Sequence, residues 1–133
     1  MIRKAKISIK GINQDEVKVL SDACAAYQEY LELLCNTENK SQHHIHHSIN
    51  REYGYMLLSK LTRRNIPLKN TITIDVHTAF VAADGLSFYM DTTKDTWGKN
   101  AAMQLLDQIF QDLPNTRDNK KYSLISEFDK SNA

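Results

Sequence analysis

Two carboxylates, an imidazole and a phenol fall between positions 75 and 91, in the second half of the sequence, close enough for one hairpin to bring them together. The stretch TITIDVHTAFVAADGLSFYMDT, residues 71–92, holds two runs rich in β-branched and aromatic residues on either side of Ala83-Asp84-Gly85, which predicts an antiparallel hairpin. A three-residue loop with Gly85 in the left-handed conformation pairs Phe80 with Phe88 and gathers Ile72, Ile74, Val76, Leu86 and Met90 on their face. On the other face this register sets His77 across from Asp91, with Asp75 two residues along and Tyr89 diagonal. A carboxylate beside an imidazole raises the imidazole pKa and fixes its tautomer, as acid–base catalysis or metal binding requires. His77, Asp91, Asp75 and Tyr89 are therefore the catalytic candidates. The simpler reading is a cross-strand ion pair worth less than ~1 kcal/mol. No second base, oxyanion donor or glycine-rich phosphate loop completes a mechanism.

A second constellation is SQHHIHHSIN, residues 41–50, which holds four of the five histidines. On a helix His43 and His47 stack one turn apart and could hold one metal ion, such as zinc, as a two-ligand pair. His46 turns toward the apolar stripe and His44 to the opposite side, so a third ligand would have to come from His77 or from a second subunit. The HExxH pattern of zinc proteases is absent. The simpler reading is the solvated first turn of a helix, and a pH-responsive surface is the third. Lys60, Arg63, Arg64 and Lys69 form a basic cluster at the end of the same helix, where cations suit the helix dipole. With Lys4, Lys6 and Lys10 they could contact phosphates, but neither segment interleaves the aromatic residues that stack on bases.

Over about fifteen residues, ITIDVHTAFVAADG resembles the first strand and following hairpin of ribonuclease-H-like nucleases, which would imply a catalytic role for Asp75. No specific motif supports the resemblance. With 58 residues after Asp75, the resemblance would imply a severely trimmed version of that fold.

These residues must be positioned by a chain of 133 residues, 41% hydrophobic and 25% charged, which fits one domain with a real core. Seventeen Lys and Arg against sixteen Asp and Glu leave a net charge of +1, so no global field draws the chain to nucleic acid or anionic lipid. No segment approaches the ~18 apolar residues of a membrane span. The expected location is the cytoplasm. Cys24 and Cys35 fall on one helix about 16 Å apart along its axis, too far to bridge, and read as buried thiols of a reducing compartment.

The alternation of residues 2–10, with Ala5, Ile7 and Ile9 opposite Lys4, Lys6, Ser8 and Lys10, predicts a half-buried edge strand. Asn13 and Glu16 form a capping-box signature for a helix over 14–35. Ser41 caps a second helix that runs to about Arg64, and Pro67 closes the region. A third helix spans Asp95 to Leu113, with Trp97, Ala101, Leu105, Ile109 and Leu113 at four-residue spacing and Pro114 as its stop. YSLISEF at 122–128 is an optional last strand in a partly flexible tail, 115–133. The expected fold is α+β in the order β-α-α-β-β-α, with the 71–92 hairpin packed against helices.

The first helix carries two apolar seams. Val17, Leu20, Cys24, Tyr27, Leu31 and Leu34 form one, and Val19, Ala23, Ala26, Tyr30 and Leu33 the other. Together they cover about 200° of the helix, against the ~100° stripe that packing on one surface needs. The second helix, with its own stripe from Ile45 to Leu57, could take part of the excess. Any surplus would form an interface with a second copy or a protein partner. The expected function is a small noncatalytic interaction or regulatory protein without a cofactor, acting as a homodimer or on a partner protein. The alternative is a nucleic-acid-processing or metal-dependent enzyme using Asp75, His77 and Asp91.

Overall fold

The computed structural model describes residues 6–113, arranged as β1 (Lys6–Ile12), α1 (Gln14–Thr37), α2 (Ser41–Leu61), β2 (Asn70–Asp75), α3 (Val76–Thr92) and α4 (Thr96–Asp112). Lys4, Ala5, the 122–128 strand and the tail 115–133 lie outside the described residues. The α+β class holds, in the order β-α-α-β-α-α.

β1 and β2 pair antiparallel, with Ile7 opposite Ile74 and Ile9 opposite Ile72. Alternation puts these four isoleucines into the core, while Lys6, Lys10, Thr71 and Thr73 stay exposed on the other face. Ser8 and Thr73 join across that face by a 3.2 Å hydrogen bond. The register shifts between Ile9 and Ile12, where Gly11 has φ +69°, a value a side chain would strain. The extra residue re-aims the chain so that Ile12 is also buried before α1 begins.

α1 opens with the expected capping box: Glu16 N–H donates to Asn13 Oδ1 and Asn13 N–H donates to Glu16 Oε1, both at 2.8 Å. It closes on Asn39, whose φ of 50° is the left-handed position that ends helices, with the Glu38 and Asn39 N–H groups both donating to the Leu34 carbonyl. Ser41 is not the cap of α2. Lys40 holds that position without a side-chain capping bond, and the helix stops at Leu61, three residues before the expected Arg64.

The expected hairpin over 71–92 is the main correction. Strand conformation persists only to Asp75, whose carboxylate accepts a 2.9 Å bond from the Thr78 N–H and caps a helix that runs through Asp84-Gly85 to Thr92. The helical spacing of Ala79, Ala82, Ala83 and Leu86 wins because it buries all four residues. Gly85 lies inside α3, where its bare backbone approaches Tyr27; a Cβ there would sit 3.5 Å from the ring. The strand that completes the sheet with β2 is thus β1, across two intervening helices.

α3 and α4 pack together, α4 also contacts β1, and α1 contacts α2, α3 and α4. Ala101, Leu105, Ile109 and Leu113 of the expected α4 stripe are buried, whereas Trp97 is exposed. The main core joins the isoleucines of the sheet to Val17, Leu20, Leu57, Leu86 and Leu105. A smaller cluster of Tyr27, Leu31 and Val81 fills the space where α1 and α3 meet, with Leu34, Ile49 and Phe88 packed against it. No helix among the described residues is long and apolar enough to cross a membrane.

Candidate functional site

Replacing the hairpin by a helix disperses the catalytic candidates. His77 stands in the first turn of α3 and Asp91 in the last, fourteen residues and therefore about 21 Å apart along the axis. His77 keeps only Asp75, with its Nε2 3.7 Å from Asp75 Oδ1, and its side chain is 74% exposed. The Asp75 carboxyl is held below the usual carboxylate range chiefly by hydrogen bonds from Thr78, which marks it as a helix cap. Tyr89 lies toward the far end of α3, beside a cleft of about 340 Å³ shared with Asp15, Asp22, Asp95 and Trp97. The strand–hairpin feature shared with ribonuclease-H-like nucleases is likewise absent from 71–92, since Asp75 is followed directly by helix.

The histidines are drawn to separate partners. His43 Nε2 lies 2.9 Å from Glu38 Oε1, and that contact is the main reason the Glu38 pKa is lowered. His44 Nε2 lies 2.8 Å from Asn39 Oδ1. His47 Nε2 is 3.0 Å from Gln28 Nε2 and 3.6 Å from Glu32 Oε2 on α1. His46 is half-buried and interacts electrostatically with Asp84 of α3. His43 thus faces Glu38 just past the end of α1 while His47 faces Gln28 and Glu32 on α1, and among the described residues no group of three or more His, Cys, Asp or Glu is placed to hold a metal ion. The cluster fastens the α1–α2 turn and the upper α1–α2 seam.

Below His47 that seam continues as a polar network. Asn50 is completely buried, and its Nδ2 donates to the Cys24 carbonyl at 3.0 Å and to Gln28 Oε1 at 2.8 Å. The Cys24 thiol donates back toward the Asn50 backbone and side-chain oxygens at 3.3 and 3.4 Å. Burial pushes the Cys24 pKa up to about 12, opposed by the Asn50 contact, so the thiol stays protonated near neutrality. One turn on, Gly54 lets the helices approach, since a Cβ there would lie 3.1 Å from Cys24 Sγ. Cys35 is half-buried. Sequence reasoning missed Asn50 and Gln28; the signal was a small residue, Gly54, one turn from an asparagine on the face that meets α1.

Of the basic candidates, Lys60 is half-buried near the end of α2, and Arg63, Arg64 and Lys69 are exposed in the connection to β2. Arg63 Nη2 donates to Asn70 Oδ1 at 3.2 Å, and Asn70 Nδ2 donates to the Ile12 carbonyl at 3.2 Å. This chain ties the basic connection to the end of β1.

The second seam of α1 divides. Val19 and Ala23 are buried in the chain's own core and are not available as interface residues, because α3 and α4 take the space the hairpin was expected to occupy. Ala26 is half-buried, and Tyr30 and Leu33 remain 40% and 57% exposed. Tyr30 stacks on Phe88 with ring centroids 5.0 Å apart, and Tyr27 lies beneath at 5.9 Å from Phe88. On the other side of α1 a groove of about 460 Å³ runs along α2, with Ser21 and Ala25 on the α1 wall and Tyr55 and Leu58 on the α2 wall. Tyr55 and Leu58 are 61% and 53% exposed. No family model, curated protein or solved structure matches the chain.

Proposed function

We propose that this chain is a small noncatalytic interaction protein that acts by binding a partner protein or a second copy of itself through apolar surface on α1. The observation that carries the reading is the aromatic edge at the α1–α3 boundary, where Tyr30 stays exposed on the Phe88 ring and Leu33, three residues on along α1, is exposed as well. Rigid aromatic rings already held in place lose little entropy on binding, which is why such residues dominate interface energetics. The separation of His77 from Asp91 along α3 leaves the enzymatic alternative without its central pair. The two unbridged thiols suit a reducing compartment such as the cytoplasm.

The test is complex formation by size-exclusion chromatography with light scattering. Wild-type protein should form a stoichiometric complex, with itself or with a protein purified from its host. Tyr30→Glu and Leu33→Glu should weaken a complex made through the aromatic edge more than about tenfold while keeping the wild-type circular dichroism spectrum. A wild-type protein that stays monomeric and has no partner sensitive to either substitution would overturn the proposal.

A further inference from the structure

The groove between α1 and α2 is distinct from the aromatic edge, and its two walls differ in size and in charge. Ser21 and Ala25 make the α1 wall low, while Tyr55 and Leu58 make the α2 wall high. Their levels are fixed by the polar seam: Asn50 meets Cys24 and Gln28, Gly54 faces Cys24, and His47 faces Gln28 and Glu32. Because the two helices are antiparallel, these contacts set Tyr55 level with about Ala23, between Ser21 and Ala25, Leu58 with about Leu20, beside Ser21, and Arg51 with about Tyr27, roughly 7–8 Å along the axis from Glu32.

We propose that a second copy of this chain occupies the groove, related by a twofold axis that runs along it. That operation lays α1 of each copy on α2 of the other without changing levels. Tyr55 and Leu58 of each copy then enter the low wall formed by Ser21 and Ala25 of the other. Arg51, exposed on the α2 wall, comes within side-chain reach of Glu32 of the other copy, whose side chain is 64% exposed. Each α2 lies between two antiparallel α1 helices, as in a four-helix bundle. A twofold axis across the groove would instead stack the high walls on each other and leave the low walls facing, without filling either. The isologous arrangement thus uses one surface twice, in size and in charge.

The area is adequate. The 21 residues of α2 span about 32 Å at ~1.5 Å per residue, and two neighbouring helices are about 20 Å across, so the face measures roughly 600 Å². A standard interface takes about 800 Å² from each partner, with the smaller stable ones near 600 Å². This dimer rests on the interaction reading above and names the partner for one surface, leaving the aromatic edge of each copy outside the contact.

Sedimentation equilibrium on wild type, Tyr55→Glu, Arg51→Glu, Glu32→Arg and the double variant Arg51→Glu with Glu32→Arg tests the arrangement. Wild type should reach twice the mass of the chain. Each single variant should raise the dimer dissociation constant more than about tenfold, and the double variant should recover most of the loss left by either charge reversal. All these positions are exposed, and circular dichroism verifies that the variants fold. A dimer that survives every groove variant but dissolves in Tyr30→Glu would overturn the groove and uphold the aromatic edge. A wild-type monomer would overturn the groove dimer and leave the interaction reading to its partner test.

Discussion

At the scale of single residues, the side chains that looked chemical are mostly structural, and their hydrogen bonds show why. Asp75 has the carboxylate that a catalytic pair needs, yet its strongest contacts are with Thr78 at the start of α3. Losing such a cap costs about 1 kcal/mol. Because the folded pKa is lowered, this stabilisation is complete above the unfolded value of about 3.9 and is lost as pH falls through the folded value. Asp75→Ala should therefore lower urea-unfolding stability by about 1 kcal/mol at neutral pH, and the gap to wild type should close in acid. An equal gap at both pH values would remove the capping role. Cys24 gives a second test. With its pKa pushed up to about 12 by burial, native protein should react with iodoacetamide at half-buried Cys35 first and at Cys24 only after unfolding. Equal rates, read by mass spectrometry, would mean that the α1–α2 seam opens readily. The histidine spacing was legible in the sequence, but the partners Glu38, Asn39 and Gln28 were not, because they come from the turn and from the facing helix.

At the scale of elements, the capping box of α1, the span of α4 and the alternation of β1 were all readable, because each is decided by residues a few positions apart. The 71–92 segment was misread because its local signals conflict. Val76, Thr78, Phe80, Phe88 and Tyr89 favour a strand, and Asp84-Gly85 favours a turn. Against them stand the Asp75 cap and the burial of Ala79, Ala82, Ala83 and Leu86 on one helical face. Tertiary packing decides for the helix, with Gly85 giving Tyr27 close access to the α3 backbone. The two structures make opposite predictions for one substitution. In a helix with room for a Cβ at 3.5 Å from Tyr27, Gly85→Ala should stabilise by roughly 0.5–1 kcal/mol. A left-handed loop residue would instead lose stability on that change. A lowered denaturation midpoint for Gly85→Ala would contradict the helical assignment of 76–92.

At the scale of the whole molecule, the excess apolar surface of α1 was visible from its two seams, but its destination was not. Once 76–92 is helical, α3 joins α2 and α4 in covering α1, and Val19 and Ala23 disappear into the core. What remains is divided between the aromatic edge at Tyr30 and Leu33 and the groove beside Tyr55 and Leu58. The groove could not be read from the sequence, since its walls come from different helices and their levels depend on the Asn50 network. On the proposed reading these surfaces serve association, while the dispersed polar side chains hold the fold together. Sedimentation velocity on the wild-type protein over a wide concentration range tests that claim most directly. Wild type should shift with concentration from the mass of one chain to the mass of two; a single species with the mass of one chain at every concentration would overturn the groove dimer and leave these surfaces only a partner protein.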